Sequence, residues 1–305
     1  MENAYEWEGL LLFCVLSMLP AVPFIIYATR YVRTQQQTTF KKLLLSMLLM
    51  GVVYIPVVVD AFWIEPNWPV LDRIDIEGNV TQPLRILQLS DLHLEMEPAK
   101  REEWLLRQLD ALSPDLIVLT GDIHQLDMTN PAPLKRILSR LHAPLGILAC
   151  VGFDNTRVIT AANPEIRFLE NASIILHNGS DTIGVIGLLL VGGKEEAYAA
   201  MKEATYRITL NHTPDLADET VEKGMDLYLC GHAHGGQVRI PFWGAIITNC
   251  ESGKKYESGL YQRGSTYIYT SRGFGLEPRP APQVRFLCRP QVTLITVHPK
   301  KNERQ

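Results

Sequence analysis

Four short clusters carry the side chains best suited to chemistry in this 305-residue chain: Asp91-Leu92-His93, Gly121-Asp122, Asn211-His212 and Gly231-His232-Ala233-His234. Asp91, His93, Asp122, His212, His232 and His234 each offer a carboxylate oxygen or an imidazole nitrogen to a divalent cation. A mixed nitrogen and oxygen donor set favours Mn, Fe or Zn over Ca. Six donors exceed what one tetrahedral ion takes and suit two ions sharing a carboxylate. Two ions about 3.5–4 Å apart activate water and clamp the attacking and leaving oxygens of an in-line displacement at phosphorus. An Asp-x-His pair alone is weak evidence. His232 and His234 are better placed, because residues two apart on an extended chain point the same way. Gly231, Gly235 and Gly236 let the backbone there approach an ion. His124, His142, His177 and His298 read as ordinary hydrogen-bonded or exposed histidines.

Each cluster needs an element to position it, and each follows a short apolar run: "LRILQLS", "DLIVLT", "YRITL" and "MDLYLC". A fifth run, "LGILAC", leads into "VGFDN". Near-continuous apolar runs of this length predict strands buried on both faces. "TIGVIGLLLVGG", "STYIYTS" and "QVTLITV" predict further strands. Between the first two runs, Trp104, Leu105, Leu109 and Leu112 form the apolar stripe of a helix that Pro114 ends, and "PLKRILSRL" predicts a second helix. Alternating strands and helices predict an α/β fold. Ligands in such folds sit at the carboxyl ends of strands, so the five strand-end loops are expected to converge.

Hydrophobic residues make up 47% of the chain, unevenly distributed. Residues 10–28 and 43–63 are almost free of charge and long enough, as helices, to cross roughly 30 Å of hydrocarbon. Two transmembrane helices are therefore expected, giving a membrane anchor over 1–63. Pro66, Pro69 and Pro83 mark 64–83 as a linker, and a soluble domain over 84–299 precedes a polar tail, 300–305. Arg30, Arg33, Lys41 and Lys42 crowd the loop between the apolar segments. Such cations stay cytoplasmic, which places the acidic N-terminus and the soluble domain outside. The net charge of −4 gives no case for a nucleic-acid partner. The five cysteines have no CxxC spacing, which argues against a zinc ribbon. Cys250 and Cys288 are open to pairing.

Taken with "EPNW", "LSDLHL", "LTGDI", "GHAHGGQVRIPFWGA" and "SRGFG", the clusters resemble the calcineurin-like metallophosphoesterase superfamily from about Leu84 to Pro299. Within it the chain is most similar to a bacterial membrane-associated branch, the YkuE-type phosphoesterases and the UDP-diacylglucosamine pyrophosphatases of lipid A biosynthesis. The resemblance implies a four-layer αββα sandwich. It implies that Asp91, His93 and His234 hold one ion, that His212 and His232 hold a second, and that Asp122 bridges them. Arg272, in "SRGFG", is a candidate phosphate contact.

The third family motif, G-N-H-D or G-N-H-E, supplies an asparagine ligand and a histidine that protonates the leaving group. Here the same register reads Gly152-Phe153-Asp154-Asn155. Three alternatives stay open. Asp154 replaces the missing ligand as a carboxylate near the catalytic centre, Asn155 substitutes through a loop shift, or the site binds metal and phosphate but barely turns over. The expectation is a bacterial plasma-membrane, multi-pass phosphoester or pyrophosphate hydrolase acting on a phosphorylated small molecule or lipid. Its rival is a non-catalytic binding or scaffolding protein on the same fold.

Overall fold

The computed structural model describes residues 21–34, 36–95, 100–125, 130–278 and 281–300. Helices α1 (Ala21–Thr34) and α2 (Gln37–Val59) open the described chain and lie against each other, with the Tyr31 and Phe40 rings 5.2 Å apart near the turn. The expected cationic loop is thus largely helical. Pro56 removes one backbone donor inside α2, and a single π-helical turn, Asp60–Ile64, follows it. A 3₁₀ turn over Glu65–Asn67 completes the helical run.

Among the described residues, only this run, Gln37–Asn67, is long and apolar enough to cross a membrane. The second of the two expected helices is not confirmed among the described residues. α1 opens at the first described residue, Ala21, and residues 10–20 of the first apolar segment lie outside the described residues. Leu48, Val52, Val53 and Ile55 of α2 are all well exposed, so no protein core accounts for their apolarity.

The stretch read as a linker contains β1 (Val70–Gly78), which pairs in parallel with β14 (Gln291–Pro299) along its whole length. Leu71, Ile74 and Ile76 supply its apolar content, while its flanking prolines mask it in the sequence. One sheet has the order β1-β14-β2-β3-β4-β5, with β2 Leu84–Leu89, β3 Leu116–Leu119, β4 Ile147–Ala149 and β5 Ile166–Phe168. The other has the order β12-β13-β9-β8-β7-β6, with β6 Ala172–Asn178, β7 Asp181–Gly187, β8 Tyr206–Leu210, β9 Leu227–Cys230, β12 Gly259–Arg263 and β13 Thr266–Thr270. Between β9 and β12 a small hairpin pairs β10 (Arg239–Ile240) with β11 (Gly244–Ala245).

The two sheets share a core in which Ile86, Val118 and Leu148 pack with Val185, Ile208 and Leu229. On the far face of the first sheet, Leu87, Leu119 and Ile147 meet Leu105, Ile137 and Ile159 from three helices, Lys100–Ala111, Ala132–Leu138 and Thr156–Ala162. On the far face of the second, Ile186, Tyr228 and Ile268 meet Ala197 and Ala217 from two short helices. Both faces of the central strands are therefore covered, which is why they read as unbroken apolar runs. β2, β3 and β4 run parallel, as do β8 and β9, so the loops that follow them gather at one end of the sandwich. Cys150, Cys230, Cys250 and Cys288 are free thiols, so the Cys250–Cys288 pairing does not form, and Cys14 lies outside the described residues.

Candidate metal centre

Past the end of β2, the backbone continues to pair with the loop after β3. Asp91 N–H donates to Gly121 O, and His93 N–H donates to Asp122 O, both at 3.0 Å. The two sheets are tied together nearby: Phe274 and Gly275 N–H donate to Ser90 O and Asp91 O. Gln88, buried in β2, donates to Thr120 Oγ1 and to Cys230 O across the sandwich.

Inside this frame the backbone is forced. Asp91, His93, Asp122, His232 and His234 all have φ between +41° and +64°. Left-handed backbone costs a non-glycine residue about 1 kcal/mol or more, and such strain collects at functional sites. Gly231 is needed where it stands, because a Cβ there would overlap Ser90 Oγ and Asp91 Oδ2. At Gly152 a Cβ would overlap Asp122 Oδ1, so the third loop can approach that carboxylate only with glycine.

The strain brings the donors together. The ligand atoms of Asp91, His93 and His234 lie within 4.8 Å of one another, as do those of Asp122, His212 and His232. Asp122 Oδ2 joins the groups, 3.6 Å from His93 Nε2 and 3.5 Å from His212 Nε2. His93 Nε2 and His234 Nε2 are only 3.2 Å apart, two imidazole nitrogens facing each other beside a buried carboxylate. His212 Nδ1–H donates to Thr120 O, which leaves Nε2 buried without a hydrogen-bond partner. His232 Nε2–H donates to Asn249 O, which frees its Nδ1. Hydrogen bonds of this kind fix the tautomer of a ligating histidine. The donor set therefore fits two divalent ions.

Burial pushes the Asp91 carboxyl up to about 7, against the His232 and Ser90 hydrogen bonds that favour its charged form. Burial lowers His93 to about 4 and depresses His232 and His234 as well, so these rings are held neutral, the form that ligates. Asp122 and His212 form the exception. Burial opposes both charges, yet their mutual attraction prevails: Asp122 falls well below the carboxylate range and His212 rises to about 10. A proton on His212 would stand where the second donor group takes a cation.

Because the folded value of His212 lies above its ordinary 6.5, the proton pair stabilises the metal-free chain fully below that value and progressively less toward about 10. Thermal melting from pH 7 to 9 is expected to show the metal-free chain losing several degrees. Saturating Mn should flatten that slope, so the gain in melting temperature on adding metal grows with pH. An equal gain at both pH values would show that no proton leaves His212 on binding.

The structure brings all six predicted ligands together and leaves three other predicted residues, Asp154, Asn155 and Arg272, outside the two donor groups. Asp154 is half-buried, and its Oδ1 accepts from Ile123 N–H at 2.7 Å, next to Asp122; it belongs to neither donor group. Asn155 N–H donates to His124 Nε2, and residue 155 stands at the N-cap position of the helix that follows without a side-chain cap bond. Arg272 spends its guanidinium on Gln291 and on an ion pair with Asp72 at 3.1 Å. Asp154→Ala leaves Ile123 N–H without its partner, a loss of about 1–3 kcal/mol, whereas Asp154→Asn keeps the acceptor. Denaturant titration is expected to show the alanine variant destabilised by that amount and the asparagine variant nearer to wild type.

Two residues at the site, Glu277 and Arg285, went unnoticed in the sequence. Glu277 Oε2 lies 3.1 Å from His234 Nε2, a further acid beside the first donor group. Arg285 is fully buried and donates to the carbonyls of Gly273, Gly275 and Cys288, with Nη2 3.3 Å from His234 Nδ1. Phe153 is 55% exposed, its ring centroid 6.0 Å from His212 and 6.2 Å from His232. Its N–H donates to Asp122 Oδ1 at 2.7 Å. No spacing signal points to Glu277 or Arg285, which reach the site from an irregular segment before β14.

Paired sheets with two acid–histidine donor groups meeting at one aspartate define a dimetal phosphoesterase scaffold, and this chain belongs to the calcineurin-like phosphoesterase family, whose profile matches residues 84–236. It is 32% identical to the uncharacterised metallophosphoesterase YkuE of Bacillus subtilis over 70% of this chain and 78% of that protein. It is 33% identical to the phosphodiesterase YaeI of Escherichia coli, over 76% of this chain and 89% of that one. To the UDP-2,3-diacylglucosamine pyrophosphatase LpxG of Chlamydia trachomatis it is 29% identical, over 70% and 83%.

Proposed function

We propose that the chain is a membrane-anchored, dimetal-dependent hydrolase of phosphoesters or pyrophosphates, with a lipid-linked phosphate as substrate. The observation that carries this reading is Asp122 Oδ2, placed within 3.6 Å of a histidine from each donor group. Bound there, two divalent ions supply Lewis-acid stabilisation of phosphoryl oxygens and a water acidic enough to attack at neutral pH. The chain's own residues do the rest. Asp91, His93 and His234 hold one position, His212 and His232 the other, and Asp122 sets the spacing. Asp154 acts as a positioning residue that holds the Asp122 loop through Ile123 N–H. Arg272 meets phosphate only if its ion pair with Asp72 opens. The likeness to LpxG supports a UDP-diacylglucosamine-like substrate, and the exposed apolar run Gln37–Asn67 supports the anchor.

The test is hydrolysis by the full chain in detergent with added Mn, using bis-p-nitrophenyl phosphate and a UDP-diacylglucosamine. Cleavage of both supports the full proposal. Cleavage of the first alone moves the substrate elsewhere, and cleavage of neither removes the enzyme reading. A nucleotide-lipid substrate is made in the cytoplasm, whereas Arg30, Arg33, Lys41 and Lys42 favour an external domain. Protease protection in oriented vesicles decides between them.

A second reading, a metal- and phosphate-binding scaffold that barely turns over, is favoured by Phe153, which sets an apolar ring above His212 and His232. That reading expects about two ions per purified chain and negligible hydrolysis of either substrate.

A further inference from the structure

The β10–β11 hairpin exposes a patch that the metal chemistry does not use. Phe242 at its tip is fully exposed and held at φ +64°, and Trp243 beside it is 68% exposed. A bulky residue in left-handed backbone is a costly outlier, and an aromatic left wholly in water adds to that cost. Together with Leu287 these rings line an open groove of about 410 Å³.

The patch is continuous with the end of the apolar helical run. Arg285 N–H donates to Ala61 O, and Leu287 and Cys288 N–H clamp the Glu65 carboxylate. Arg289 donates to Trp68 O and Pro69 O and stacks on the Trp68 ring at 4.1 Å. On its other side the same segment binds the hairpin: Arg239 N–H donates to Phe286 O, and Phe286 N–H to Gln237 O. Trp63 and Trp68 are both well exposed at the helix end, and the segment around Leu287 joins that end to the hairpin that carries the exposed Trp243. Lys254 lies 4.7 Å above the Trp243 ring. Tryptophans flanked by Lys and Arg where an apolar helix ends make up the composition of a membrane–water interface.

We propose that the Pro241–Gly244 tip inserts into the lipid surface where the anchor leaves it, so that the hairpin acts as a second membrane contact. This rests on the anchor reading above. The hairpin is also tied to the metal centre, since Arg239 donates to Gly235 O, next to His234, and Cys288, in the segment paired with the hairpin, donates its Sγ–H to His234 O. Insertion therefore holds the first donor group close to the headgroups, where a lipid-linked phosphate lies.

The experiment is tryptophan quenching of the full chain in vesicles of dibrominated phosphatidylcholine. Subtracting the emission of Trp243→Phe from wild type isolates Trp243. That signal is expected to fall at least about twofold and in proportion to the brominated fraction. Phe242→Asp is expected to relieve the quenching while hydrolysis of soluble bis-p-nitrophenyl phosphate stays unchanged. Unquenched Trp243 in a chain that resists alkaline carbonate overturns the proposal alone. Release by carbonate overturns it together with the anchor. Quenching already complete at a trace of brominated lipid assigns the groove to one bound acyl chain and overturns interfacial insertion.

Discussion

Asp122→Asn is expected to lower Mn-dependent hydrolysis by about 10³-fold or more and to reduce bound metal from about two ions per chain to one or fewer. The asparagine side chain is nearly the same size, tolerates the left-handed backbone that residue 122 adopts, and keeps an oxygen for Phe153 N–H. What it removes is the charge. In the metal-free protein that charge is the partner of His212, and in the loaded protein it is the carboxylate facing both donor groups. Asp122→Ala removes the Phe153 hydrogen bond as well and places a residue with no local hydrogen bond at φ +53°. The alanine variant is therefore expected to melt lower than the asparagine variant while being no less active. Metal analysis of both purified proteins, alongside bis-p-nitrophenyl phosphate hydrolysis, checks this. Wild-type occupancy and rate in Asp122→Asn would leave the shared carboxylate without a function.

The clustering of the six candidate ligands was legible because apolar runs end abruptly at them, and a parallel sheet delivers such ends to one edge. Only the consequence of packing was hidden. No local pattern announces that five of those six residues sit in left-handed backbone, because that strain is imposed from outside, by Phe274 and Gly275 closing on β2's loop and by the closeness of Gly231. Arg285 was illegible for a related reason. A fully buried arginine is supported by carbonyls that converge only after folding. β1 escaped because proline signals on both sides outweigh its alternation, and its pairing partner lies some 220 residues away. Asp154 shows the limit of reading motifs by register alone: a carboxylate one residue from a ligand position is as well suited to satisfying a backbone N–H as to holding metal.

The second large effect is expected at Phe153. Its backbone serves Asp122, while its ring lies edge-on to His212 and 6.2 Å from His232, more than half exposed. The side chain thus borders the second donor group and carries no proton to give a leaving oxygen that departs past it. A positioned general acid is worth about 10²–10⁴-fold, and the benefit scales with the basicity of the leaving group. p-Nitrophenolate leaves without much help, whereas an alkoxide needs protonation. Phe153→His is therefore expected to raise hydrolysis of an alkyl phosphodiester by about 10²-fold while changing p-nitrophenyl release only a few-fold. Phe153→Asn adds a donor without an ionisable proton and is expected to raise metal affinity, with similar effects on both substrates. A histidine variant that gains nothing on the alkyl ester would place the leaving group away from this ring. If both substrates gained equally in that variant, Phe153 would be limiting metal binding or access, and a missing proton donor would not be what limits hydrolysis.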